Sequence, residues 1–192
     1  MTTDPLEHLR YPIGRMPRLT QPLGAAGRDA HLRILAETPG RFRALAAGLT
    51  DAALDRPYRP GGWSLRQVFH HVPDSHMHAY LRMKWATTED VPAVKTYDEV
   101  QWAELGEAKG APIAVSLDLL DALHGRWVLF LRSLTDDGWQ RAFQHGEWGR
   151  VTIEESLTMY SWHSRHHAAH IEAGKRGSRG AGEQGSEGAR RG

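Results

Sequence analysis

The segment Trp162-His163-Ser164-Arg165-His166-His167-Ala168-Ala169-His170 holds four of the chain's twelve histidines. His163 and His167 are four residues apart, so on a helix their imidazoles leave the same face, one turn above the other. One helix offers two nitrogens to a single metal ion in this way. His170 continues the stripe, and His166 pairs with it at the same spacing. A third nitrogen is available from His70-His71. Three neutral imidazoles with a fourth position left for water make a catalytic zinc site, whereas structural sites are closed by four protein ligands. Such an ion lowers the pKa of bound water to about 7, which removes the need for a serine or cysteine nucleophile. Spacing does not name the metal, because nitrogen ligation also suits nickel, cobalt or copper. The competing reading of His163 and His167 is a basic, half-exposed helix end meeting the helix dipole. His8, His31, His124 and His145 read as ordinary core or surface histidines; His76 and His78, on the same helix as His71, could line a cleft but read first as exposed.

These residues need helices to bring them together. A first helix is expected over about Arg28 to Leu49, kinked or broken at Pro39-Gly40. A second starts at Ser64, whose hydroxyl and Gln67 form a capping box, and runs to about Ala86. A third follows Ser116 and carries Leu120, Leu123, Trp127 and Leu131. The fourth opens on a second capping box, Thr152 with Glu155, and ends at Gly174 as a C′ glycine. The pattern is all-α, a four-helix bundle in which facing helices project ligands inward. Leu49-Thr50-Asp51-Ala52-Ala53-Leu54-Asp55-Arg56 is echoed by Leu134-Thr135-Asp136-Asp137-Gly138-Trp139-Gln140-Arg141. Each echo follows one long helix and leads into a capping box, so the bundle reads as two helix pairs of similar design. Between helices two and three, Thr87 to Val115 is a long loop for a bundle, and Tyr97 and Trp102 suggest an ordered segment, a lid over the bundle.

At 192 residues the chain fits a single domain, expected over 1–173. The remainder, 174–192, is rich in Gly, Arg and Ser and reads as a disordered tail. That tail carries five basic and two acidic residues; without it the totals of 24 and 23 fall to 19 and 21, a slightly acidic body with no nucleic-acid footprint. The absence of cysteine excludes disulfides, thiolate nucleophiles and cysteine-ligated zinc. No apolar run suits a signal peptide or a membrane span, so a cytoplasmic location is expected.

Several short segments are specific when taken together: Tyr58-Arg59-Pro60-Gly61-Gly62-Trp63, Arg66-Gln67-Val68 with His70-His71, Asp74-Ser75-His76-Met77, Tyr97-Asp98-Glu99 with Trp102-Ala103-Glu104-Leu105, His124 with Arg126-Trp127, and Tyr160-Ser161-Trp162-His163-Ser164-Arg165-His166-His167. With Tyr11-Pro12-Ile13-Gly14 and Ile171 at the two ends, the chain resembles the DinB/YfiT family of four-helix-bundle metalloproteins. Within it the likeness is to the YfiT-type metal-dependent hydrolases, which are related to bacillithiol S-transferases. The resemblance implies a metal triad of one histidine on the second helix and an i, i+4 pair on the fourth. Carried over, the triad is His71, His163 and His167, with His70 and His170 as substitutes if the register slips by one. It also implies a divalent ion, Zn2+ or else Ni2+ or another transition metal, and a homodimer. Pro73 stands where the family pattern leads one to expect alanine, and a kink just beyond His71 is expected there. Asp74 and Glu155 are candidates to hydrogen-bond the metal-bound histidines. Arg126 and Arg165 read first as surface charges, though either could meet an anionic substrate.

The leading expectation is a metal-dependent hydrolase acting on a small molecule. The alternative is a thiol S-transferase, in which a low-molecular-weight thiol arrives as substrate and ionises on the metal. A third possibility is a non-catalytic bundle braced by its ion.

Overall fold

A computed structural model of the chain describes residues 5–188, with side chains through residue 176. The elements follow in the order α1 (Glu7–Arg10), α2 (Gly24–Ala46), α3 (Asp51–Leu54), α4 (Leu65–Thr88), β1 (Ala93–Val94), α5 (Glu99–Ala103), α6 (Gly106–Gly110), α7 (Ile113–Arg132), α8 (Asp136–Gln140), β2 (Ala142–His145), β3 (Gly149–Thr152) and α9 (Ile153–Gly188). The four long helices α2, α4, α7 and α9 make the bundle. Both α2 and α4 pack on α7 and on α9, so α2 sits diagonally across from α4 and α7 from α9, while α4 and α7 lie side by side. Among the described residues no helix is long and apolar enough to cross a membrane.

Both expected capping boxes form. Ser64 Oγ accepts from the Gln67 amide while Gln67 Oε1 accepts from the Ser64 amide. Glu155 Oε2 accepts from both the amide and the hydroxyl of Thr152, whose Oγ1 accepts from the Glu155 amide. Each satisfies amides that a helix start would otherwise leave unpaired. The sequence echo is also real. Thr50 caps α3 and Thr135 caps α8, and the two echo-ending arginines use their carbonyls alike: Arg56 accepts from Leu65 N, and Arg141 from Ile153 N.

Two local expectations need correction. The first helix is not broken at Pro39; α2 runs through it from Gly24 to Ala46, and α4 likewise continues past Pro73 to Thr88. Nor does α9 end at Gly174, because that glycine serves packing rather than capping. A β-carbon there would stand 2.6 Å from Leu65 Cδ2, so only glycine lets α9 pass this close to the start of α4. The expected tail, 174–192, therefore begins within this helix, and its last four residues lie outside the described residues.

The segment after α4 is ordered into β1, α5 and α6, the last two packed on α4. A small sheet was not foreseen. β2 and β3 form an antiparallel hairpin with Phe143 opposite Val151, and β1 joins β2 in parallel. The long segment is thereby tied to the turn that precedes α9.

The core is split. One apolar cluster contains Leu35, Met83, Trp127, Leu131 and Leu157; the other contains Phe42, Phe69, Val72, Leu120 and Ile171. On every long helix the chain passes from one cluster to the other, and the polar layer between them is made of imidazoles.

Candidate metal centre

His71 projects from α4 toward His163 and His167 on α9, and the three rings meet. Their ligand-capable nitrogens all lie within 4.8 Å of one another. Nε2 of His71 is 3.3 Å from Nε2 of His163. Two nitrogens held 2.0–2.1 Å from one ion at a tetrahedral angle stand about 3.3–3.4 Å apart, so the spacing fits a divalent metal. Burial holds His71 down to about 4 and keeps His163 and His167 well below the usual imidazole range. Neighbouring imidazoles press all three further in the same direction. Neutral rings are the form that ligates.

What orients His163 is a chain of hydrogen bonds across the bundle. Its Nδ1 is 3.0 Å from His76 Nε2 on α4. His76 Nδ1 is 2.7 Å from His124 Nε2 on α7, and His124 Nδ1 is 2.6 Å from the Leu35 carbonyl oxygen on α2. Hydrogen placement follows from the far end. A carbonyl only accepts, so His124 Nδ1 carries the proton and its Nε2 accepts from His76. His76 Nε2 then accepts from His163 Nδ1–H, which leaves the His163 Nε2 lone pair facing His71. The Leu35 carbonyl is available because the residue four further on is Pro39, which has no N–H to bond it.

His167 has a shorter support. Its Nδ1 is 3.4 Å from His170 Nδ1, and His170 Nε2 is 3.1 Å from the Arg10 carbonyl. By the same logic His170 donates to that carbonyl and accepts from His167, whose Nε2 is left for a ligand.

The other histidines sort by what they touch. His70, the reserve for His71, faces away: its Nε2 donates to the Ala111 carbonyl at 3.1 Å and its Nδ1 accepts from Ser116 Oγ at 2.7 Å. His166 is buried against the Trp162 ring, with centroids 4.3 Å apart, and is not part of the cluster. His76 was expected to be exposed; it is fully enclosed. The reason is that α4 is covered on two sides, by α7 and by α9, so a residue off its ligand face still meets a helix. His78 is half-buried, stacked on Tyr97 at 4.2 Å. His31 meets Ser161 Oγ at 2.5 Å, and His145 stacks on Trp148 at 4.2 Å.

The acidic candidates do not support the triad. Asp74 makes no hydrogen bond to the three histidines among the described residues. Burial, with the nearby Glu107 carboxylate, lifts its carboxyl to about 6. Glu155 is occupied in the capping box. Arg126 and Arg165 are exposed.

The three histidines open onto a cavity of about 330 Å³. Trp63 from the turn before α4, Tyr97 and Glu99 from the long segment and Trp148 from the hairpin line it, with Tyr160 of α9. The expected loop thus forms a wall of the site.

Known proteins place this arrangement. The DinB superfamily model matches residues 34–171. A Bacillus subtilis (strain 168) protein named "Putative metal-dependent hydrolase YfiT" is 45% identical over 166 residues, covering 85% of this chain and 92% of the relative. A similarly named Bacillus cereus (strain B4264) protein is 42% identical over 166 residues, covering 86% of this chain and 95% of the relative. The solved structure of the Bacillus subtilis protein, described as having an unusual four-helix bundle topology, superposes with a TM-score of 0.86 at 43% identity and covers 89% of this chain and 98% of that one. A mycothiol-dependent maleylpyruvate isomerase shares the fold, with a TM-score of 0.62 at 16% identity over 75% of this chain and 60% of that one. A four-helix bundle with a three-histidine cluster at the floor of a cavity, matched over most of its length, places the chain in the DinB superfamily.

Proposed function

We propose that the chain is a metal-dependent hydrolase in which His71, His163 and His167 hold a zinc or nickel ion. The observation that carries this reading is the 3.3 Å approach of two Nε2 atoms with a third imidazole beside them, at the floor of a cavity. The names of the relatives support a divalent metal and a hydrolytic reaction. When bound, such an ion supplies Lewis acidity and makes water nucleophilic near neutral pH.

The protein's own residues do the rest. His76 and His170 hold the outer nitrogens of the two α9 ligands and fix which nitrogen each turns inward. Trp63, Tyr97 and Trp148 give the cavity aromatic walls, which strengthen polar interactions beside them. Ser75 Oγ, 3.5 Å from His163 Nε2, lies beside the ligand nitrogens, where it can hydrogen-bond a substrate oxygen.

The test begins with elemental analysis of protein purified without added metal, which is expected to show about one divalent ion per chain. Hydrolysis of model esters or amides without any thiol, abolished by a chelator, supports the reading. A second reading is thiol transfer, favoured by the absence of cysteine in the chain, since the thiol would then arrive as substrate. Thiol-dependent consumption of a chlorinated aromatic, with no ester turnover, would replace the first reading with the second. Metal-dependent folding with neither activity would leave a structural ion. The homodimer implied by the family is supported by Val115, Leu119 and Leu129, which stay exposed on α7; sedimentation equilibrium at micromolar concentration checks it.

A further inference from the structure

Arg82 is a buried cation without a carboxylate. It lies on α4, and its position follows His71 by eleven residues, about three helical turns, so both face the same side. It lines the cavity that the three histidines open onto. The residue is only 4% exposed. Its Nη2 donates to the Lys95 carbonyl at 2.7 Å and the guanidinium also meets the neutral Tyr160 hydroxyl, while its Nε has no hydrogen-bond partner. Among the described residues no Asp or Glu forms an ion pair with it.

A second buried arginine shows how the chain treats such a charge elsewhere. Arg66, 5% exposed, donates to Asp55 at 2.7 Å and to Asp51 at 2.8 Å. A buried guanidinium left unpaired is costly, and pairing it recovers much of that cost. The acidic residues that border the cavity, Glu99 and Glu147, are exposed and leave Arg82 unmatched.

We propose that Arg82 is the anion-recognition residue of this cavity, and that the substrate is a monocarboxylate with an apolar body. This rests on the reading of the three histidines as the reacting centre and adds the substrate class to it. One guanidinium neutralises one negative charge, so a carboxylate suits the site, while Glu99 and Glu147 oppose a dianion. The surfaces between the two ends, Tyr97, Met159, Tyr160 and Trp148, are apolar or aromatic and suit a hydrocarbon or aromatic body. Length follows from helix geometry. Eleven residues rise about 16 Å, and the longer arginine side chain, leaning toward the helix N-terminus, shortens the gap to roughly 10 Å.

The test uses two hydroxamates that differ at the far end: suberic acid monohydroxamate, ending in a carboxylate, and its neutral carboxamide counterpart. Calorimetry on zinc-loaded and zinc-free full-length protein gives the dissociation constants. The carboxylate compound is expected to bind wild-type protein at least about tenfold more tightly than the amide, in line with a charge-assisted, largely desolvated hydrogen bond. In Arg82→Gln the two are expected to bind within about twofold of each other, since the neutral side chain cannot tell them apart. No preference in the wild-type protein overturns the proposal, and that comparison needs no variant to fold. A preference that survives Arg82→Gln in protein with unchanged circular dichroism also overturns it. The metal reading is judged separately, by whether zinc tightens binding of the amide compound. If zinc adds nothing, that reading fails, while the carboxylate preference, read on both forms, still decides the role of Arg82.

Discussion

The two α9 ligands are held in different ways. His163 is backed by His76, His124 and the Leu35 carbonyl, so its support takes one residue from each of α4, α7 and α2. His167 is backed by His170 alone, which ends on the Arg10 carbonyl in the segment before the bundle. The contacts of the first chain are 3.0, 2.7 and 2.6 Å; those of the second are 3.4 and 3.1 Å. The first is enclosed between the two apolar clusters, and the second, though buried, ends on α1, outside the four long helices. The difference teaches that one ligand is positioned by the fold as a whole and the other by a local contact.

The largest expected effect comes from the ligands themselves. His71→Ala, His163→Ala and His167→Ala should each lower metal affinity by more than about 100-fold, since loss of a residue that merely orients a ligand costs about 10–100-fold. Competition with a chromophoric chelator measures this, and wild-type metal content in any one of them would remove that residue from the triad. Next is His76→Phe, which leaves the His163 Nδ1–H and the His124 Nε2 unpaired in the core. Metal affinity should fall by about 10–100-fold, and the metal-free protein should lose about 1–3 kcal/mol in chemical denaturation. His170→Phe should cost less, about tenfold or below in affinity. If His170→Phe proved as damaging as His76→Phe, the contrast between the two supports would be broken.

The same chain should shape the acid response. Burial holds His124 down to about 4, with the Leu35 carbonyl opposing that shift. A group depressed on folding stabilises the native state fully above its unfolded pKa of about 6.5, and that contribution is lost as pH falls toward the folded value. Thermal melts of the metal-free protein should therefore decline from pH 6.5 to 4, less steeply in His124→Phe. Equal slopes would sink this account. The smallest effect is expected from Pro39→Ala, which returns an N–H to compete for the Leu35 carbonyl. That oxygen has two lone pairs, so metal affinity should fall only about threefold. No change at all would mean that the proline's missing N–H does not matter to the site.

Much of this architecture is legible in the sequence, because the signals are local. Ser64 with Gln67 and Thr152 with Glu155 mark two helix starts by spacing alone, and the four-residue interval of His163 and His167 places both rings on one face. The supports are not legible. Whether His76 meets His124 depends on the mutual rotation of α4 and α7, which no interval along one helix encodes. Gly174 misleads for a related reason, since its close neighbour Leu65 lies on another helix. The hairpin β2–β3 is short, four residues in each strand, and the helical pattern around it masks its alternation. Arg82 carries no sequence signal either; its lack of a carboxylate partner is visible only in three dimensions.

Pro39 gives the site a practical property. A residue usually counted as a helix defect leaves one carbonyl on α2 free, and that oxygen sets the direction of every hydrogen bond leading to His163. The smallest portable unit of this centre is therefore not the three ligands, nor the pair of helices that carry them. Grafting His71, His163 and His167 onto another scaffold would transfer the ion-binding atoms without the device that orients one of them. A faithful transplant would have to bring all four helices and an apparently unrelated proline.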